Sequence, residues 1–199
     1  MHFRSWLLVF ACLPLKLLAQ NTSQEAPTAI FDAERAALDR RGMYVLGAWA
    51  VSNVGASGAR YFATTGSEKY FHQMNVGWGA VNLALAGVSF LGSSRAPSSD
   101  RAATTKAQLR TENIYLLNTG LDAAYIMGGF YLKERARTRP TQRRQDQLKG
   151  YGQSLLLQGG FLLAFDGVMF AAHHSHATQR LYPLLSNLRF GPGTVALVF

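Results

Sequence analysis

The stretch Gln158–Ala172, QGGFLLAFDGVMFAA, decides how this chain is read. It is apolar or small throughout apart from Gln158 and Asp166, and no Lys or Arg lies within two helical turns of that carboxylate. Extended back to Gly150, the uncharged run reaches the length of about 20 residues that a helix needs to cross a bilayer. A helix of a soluble bundle needs a charged face to meet water. Here whole turns pass without one, so lipid is the expected surroundings and a soluble four-helix bundle the competing reading.

Working outward, three similar runs precede it: GMYVLGAWAVSNVGASGA from Gly42, YFHQMNVGWGAVNLALAGVSFLGSS from Tyr70, and NIYLLNTGLDAAYIMGGFYL from Asn113, the last with Asp122 as its only charge. The fold class expected is all-α: four transmembrane helices in a bundle, spanning about 42–62, 70–93, 113–132 and 151–172. A polar segment with a short helix (21–41) comes before them, and an interfacial tail (173–199) follows. In that tail Leu181, Leu184, Leu185 and Leu188 share a helical face before a Gly191-Pro192-Gly193 break, which suits a segment lying on the membrane surface.

The first 20 residues read as a cleavable signal peptide, with Arg4, a short apolar core from Trp6 to Leu15 and the small Ala19. That core is too short to span, although an uncleaved anchor is the alternative. Cleavage removes Cys12, the one cysteine of the 199 residues, and leaves no disulfide or thiolate. The net charge of +9 sits in the connecting runs, as loops flanking membrane segments require. No basic face interleaved with aromatics accompanies it, so nucleic acid is not an expected partner. The Arg-rich loop from Lys133 to Lys149 prefers the cytoplasm, and with the export signal it places both ends of the mature chain on the periplasmic side of a bacterial inner membrane.

The runs pair. Setting the fourth on the second aligns Gly79 with Gly159, Ala84 with Ala164, Gly87 with Gly167 and Phe90 with Phe170. The third sets on the first in one of two registers: Tyr44 on Tyr115, or Ala48, Ser52 and Ala56 on Gly120, Ala124 and Gly128. Two tandem helical hairpins follow, in one orientation. Small residues four apart (Gly120, Ala124 and Gly128; Ala80 and Ala84; Gly160 and Ala164) are expected to let the helices approach. A contact with a second copy or another membrane protein is their alternative use.

Asp122 and Asp166 fall about 12 Å and about 9 Å from one membrane face at 1.5 Å per residue. An ionisable group at that depth costs about 2.5–3.5 kcal/mol, so both should face the interior, with Asn118, Asn53, Asn82 and Gln158 as the accompanying polar cluster. Either they hold a proton or small cation, as a coupled carrier requires, or they are interhelical fasteners. His72, Gln73, Asn75 and Gln153 mark a second polar group at helix entrances. His173, His174 and His176 are expected in a solvated interfacial loop. No hydrolase, zinc-protease or nucleotide motif occurs, so no catalytic, metal-ligating or cofactor-binding residue is assigned.

The segments GAWAVSNVGASG (Gly47–Gly58), YFHQMNVGWGAVN (Tyr70–Asn82), NTGLDAAYIMGGFYLKER (Asn118–Arg135) and GYGQSLLLQGGFLLAFD (Gly150–Asp166) resemble a family of small uncharacterised membrane proteins of Bacteroidetes-type bacteria. The resemblance implies the four-helix architecture and leaves function open. A non-enzymatic envelope scaffold or interaction protein is the first functional expectation, and a small proton- or cation-coupled carrier using Asp122 and Asp166 the alternative.

Overall fold

The computed structural model describes residues 22–92, 96–186, 188–191 and 194–197; the expected signal peptide lies outside them. Four long helices dominate: α1 (Thr22–Ala63), α2 (Gly66–Gly92), α3 (Arg101–Arg137) and α4 (Gln142–Arg180). A short α5 (Tyr182–Ser186) and an antiparallel hairpin of β1 (Leu188–Gly191) and β2 (Thr194–Leu197) follow. The described residues are helical almost throughout, in keeping with the all-α expectation, and the tail adds this small hairpin. Gly-Pro-Gly flanked by Phe190 and the β-branched Thr194 and Val195 is turn composition between strand formers, and it overrides the leucine spacing of the tail.

The helices are longer than the apolar runs that announce them. The 42 residues of α1 make one rod of about 63 Å at 1.5 Å per residue, with no break between the polar segment and the apolar one. At its far end the chain reverses through Thr64 and Thr65, and Gly66 takes φ 59°, a conformation that costs glycine little. α3 is capped by Asp100, whose side chain accepts from the Ala102 N–H. α4 runs past Ala172 to Arg180, so the three histidines sit on a helix packed against α1 and α3. They are not in a solvated loop.

α1 packs on α2, α3 on α4, and α4 also on α2. The α3–α4 contact follows a seven-residue repeat: Gln108, Tyr115, Asp122 and Gly129 are buried on one helix, and Gly152, Gly159, Asp166 and His173 on the other. That spacing is the seam of an antiparallel coiled-coil-like pair. A Cβ on Gly129 would lie 2.8 Å from the Gly152 carbonyl oxygen, and one on Gly159 would lie 3.0 Å from that of Asp122. Gly79 makes the equivalent approach in the first hairpin, where a Cβ would lie 3.0 Å from the Ala50 carbonyl oxygen. The two hairpins are therefore packed alike, in the register that sets Ala48 on Gly120. The small residues named from their four-residue spacing are not the ones that close the helices: Gly120 and Gly160 have nothing within 4 Å. Glycines facing a neighbouring backbone do so, and spacing alone does not reveal which face that is.

By length and composition α2 and α4 qualify to cross a membrane, and only a minor share of each apolar stretch is buried. α1 and α3 fall short because Gly, Ser, Asn and Tyr dilute their apolar runs. In all four, polarity is arranged inside out. Asn53, Asn75, Asn82, Asp122, Ser154, Gln158 and Asp166 are buried, whereas Val51, Phe62, Val88, Leu91, Met127 and Val168 are more than half exposed. At the end where α1 begins and α4 finishes, Phe31, Ala177 and Leu181 form a small core on which Tyr182 and Leu185 pack.

Candidate functional site

The polar residues expected to form one cluster form two. The first is closed and centred on Gln158. Its Nε2 donates to Asn53 Oδ1 and Asn75 Oδ1, each at 2.8 Å, and its Oε1 accepts from Trp49 Nε1 at 2.9 Å. Ser154 Oγ donates to Asn75 at 2.7 Å, and Asn53 Nδ2 donates to the Trp49 carbonyl. Gln158 is thus fully paired and joins α4 to both α1 and α2. Asn53 and Gln158 belong here, away from the aspartates.

Asn75 belongs here too, which dissolves the expected entrance site. Gln73 instead accepts from the Tyr151 hydroxyl. His72 Nδ1 is buried without a hydrogen-bond partner, and Gln153 is half-buried on α4. These residues are not gathered into a single site.

The second cluster lines a cleft of about 920 Å³ walled by all four helices. The backbones of α2 and α3 do not approach each other, and the cleft occupies the gap. Its partly exposed lips are Val81 and Leu85 on one side and Ile114 and Leu121 on the other. Towards the middle of the bundle the rings of Trp78 and Tyr125 meet at 5.0 Å across the gap. Inside, Asn118 Nδ2 donates to Asp166 Oδ1 at 3.4 Å, and Asp122 and Asp166 share the lining, close enough for their carboxyl groups to interact. Both are buried, yet Asp122 Oδ2 and Asn82 Nδ2 receive no partner from any described residue. Two facing carboxyl groups are both acceptors, so only a proton or a cation between them completes the contact.

Towards the chain ends the cleft continues into groups that the apolar runs gave no reason to connect with it. Asp39 is the hub. Arg35 reaches it at 3.4 Å and Asp32 at 2.8 Å, and the Tyr115 hydroxyl donates to it at 3.5 Å. His173, fully buried and stacked on Tyr115, places Nε2 3.0 Å from Asp39 Oδ1 but out of line for a hydrogen bond. Ser98 N–H donates to Asp32. The signal for these residues was the helical spacing of IFDAERAALDRRG, which sets Asp32, Arg35 and Asp39 on one face.

His176 stacks on Phe31 and bonds Glu34 at 2.8 Å, and His174 lies 3.5 Å from Glu112. Among the described residues no group of three His, Cys, Asp or Glu is arranged to hold a metal. The hydrogen bond from His176, helped by Arg180, holds the Glu34 carboxyl below its ordinary range. Burial and the neighbouring Glu112 push the Tyr182 hydroxyl up. A depressed carboxyl stabilises the fold above its unfolded value, and the contribution disappears as pH falls through the folded one. Glu34→Gln is therefore expected to lower the melting temperature slightly at neutral pH, as exposed pairs do. Melting curves of the two proteins should converge once the medium is more acidic than the Glu34 carboxyl; a constant gap would remove the ion pair as its cause.

The fold and site together define a small helical bundle with an open, acid-floored cleft between two hairpins. Residues 45–167 match the model of a family of unknown function, DUF6992, and the chain belongs to that family. The matched region holds both polar clusters and ends one residue after Asp166; Asp32, Arg35, Asp39 and the histidines lie outside it. No curated protein and no solved structure matches the chain.

Proposed function

We propose that the chain is a multi-pass integral membrane protein that binds a proton or small cation between Asp122 and Asp166 and works as a small carrier of that ion. The membrane reading is supported by the apolar exterior and polar interior of the bundle. Water does not reward that inversion; lipid does.

The observation that carries the functional reading is the contrast between the two buried polar clusters. Fasteners are recognised by being paired, as Gln158 is. Asp122 Oδ2 and Asn82 Nδ2 are buried and unpaired, which is costly unless something arrives to pair them. A purely structural scaffold, the use the sequence favours, leaves both groups without a purpose.

Reconstituted in liposomes loaded with a pH-sensitive dye, the full chain should move protons or alkali cations down an imposed gradient. Asp122→Asn and Asp166→Asn should each reduce the initial rate by about tenfold, the worth of one charge-assisted hydrogen bond, while eluting as the wild type does. A wild-type protein that is well incorporated and passes neither ion would overturn the carrier. Variants that lose assembly together with flux would return the aspartates to a fastening role.

A further inference from the structure

The cleft is much larger than a proton or a bare ion needs. Its volume of about 920 Å³ falls in the range of small-molecule sites. Most of the lining is apolar, with Leu46, Leu85, Leu121, Leu162 and Phe165 among it. Against that wall stand one open acceptor, Asp122 Oδ2, and one open donor, Asn82 Nδ2. We infer that the cleft binds an organic amine with an apolar body, its ammonium group on Asp122 and Asp166 and an oxygen beside the nitrogen accepting from Asn82. This rests on the reading of Asp122 and Asp166 as a cation site and names the solute that fills it.

The chemistry selects the class. An ammonium brings up to three N–H donors and no acceptor, which suits two facing carboxyl groups better than any neutral solute. A carboxylate ligand would bring a third acceptor to the same place. At the mouth Arg35 is held by both Asp32 and Asp39, so that guanidinium presents no uncompensated charge to an incoming cation. The apolar lips on α2 and α3 admit the hydrocarbon part through the gap between those helices, which no backbone approach closes and which the Trp78 and Tyr125 rings bridge at one level.

Isothermal titration calorimetry on the full chain in nanodiscs tests this with phenylbutylamine, phenylbutanol and phenylbutyrate, which share one apolar body. The amine should bind about tenfold or more tightly than either control, one charge-assisted hydrogen bond being worth that factor. Asp122→Asn should erase the preference. A β-hydroxyl on the amine should raise affinity several-fold in the wild type and leave it unchanged in Asn82→Leu. Equal binding of amine and alcohol by the wild type overturns the proposal, and that comparison needs no variant to fold. Proton or cation flux that depends on Asp122, in a protein that ignores the amine, overturns the amine alone and leaves the carrier standing. Amine preference retained in a folded Asp122→Asn protein overturns the assignment of the site.

Discussion

Gly150→Val is expected to leave little or no assembled protein. A Cβ at this position would fall on the Ser67 carbonyl oxygen, 2.7 Å from the Phe71 amide nitrogen and 2.8 Å from Tyr70 Cβ. Two of these are backbone atoms, so no rotamer change makes room; α2 and α4 must separate. Overpacking with side chains that can shift costs about 1–3 kcal/mol, and a clash against backbone belongs at or beyond the upper end. Separation would also pull apart the bonds from Ser154 and Gln158 to Asn75, which lie next along the same interface. Gly160→Ala is the control, because nothing lies within 4 Å of a Cβ there. The fraction eluting as a monodisperse peak in detergent should collapse for the first and stay at the wild-type level for the second. Equal yields would mean that α2 and α4 are not held at this distance.

Gln158→Leu is expected to produce the second large loss, through hydrogen bonding with little change of volume. It leaves the Trp49 indole N–H without its acceptor and Asn53 Oδ1 without its donor, while Asn75 keeps the Ser154 hydroxyl. An abandoned buried polar group costs about 1–3 kcal/mol. Interhelical bonds in lipid average nearer 0.6 kcal/mol, because the separated helices find other partners. Two stranded groups therefore give about 1–6 kcal/mol, read as a lower melting temperature in detergent. A double-mutant cycle with Asn53→Leu isolates the cause, since removing both partners strands fewer groups than the single changes suggest. Strict additivity would mean that the two side chains do not depend on each other.

The helical architecture was legible because the evidence for it is local. A charge-free run longer than a soluble helix tolerates can be read residue by residue, and the match of Gly79 to Gly159 needs only two aligned strings. Asp122 and Asp166 were expected near each other from counting along the helices, and both line the one cleft. What escaped depends on which face of each rod meets which neighbour. Gln158 lies two turns before Asp166 yet points to α1 and α2, so proximity in sequence put it in the wrong cluster. Asp32, Arg35 and Asp39 escaped because the membrane boundary was drawn where charge begins. α1 crosses that boundary without a break, carrying them to the mouth of the cleft. His173 escaped for the same reason at the end of α4. The hairpin of β1 and β2 was obscured by leucines whose spacing fits a helix equally well.

The likeness of the two hairpins ends at two matched positions. Gly79 covers Ala50, with Ala86 also buried in that hairpin; Gly159 covers Asp122, beside Asp166. Setting the fourth run on the second as Gly79 on Gly159 makes Ala86 the counterpart of Asp166, and the matching register of the other two makes Ala50 that of Asp122. The two hairpins thus share their packing while the acids stand in one of them, so the pseudo-symmetry of the backbone contacts does not extend to the charge they enclose.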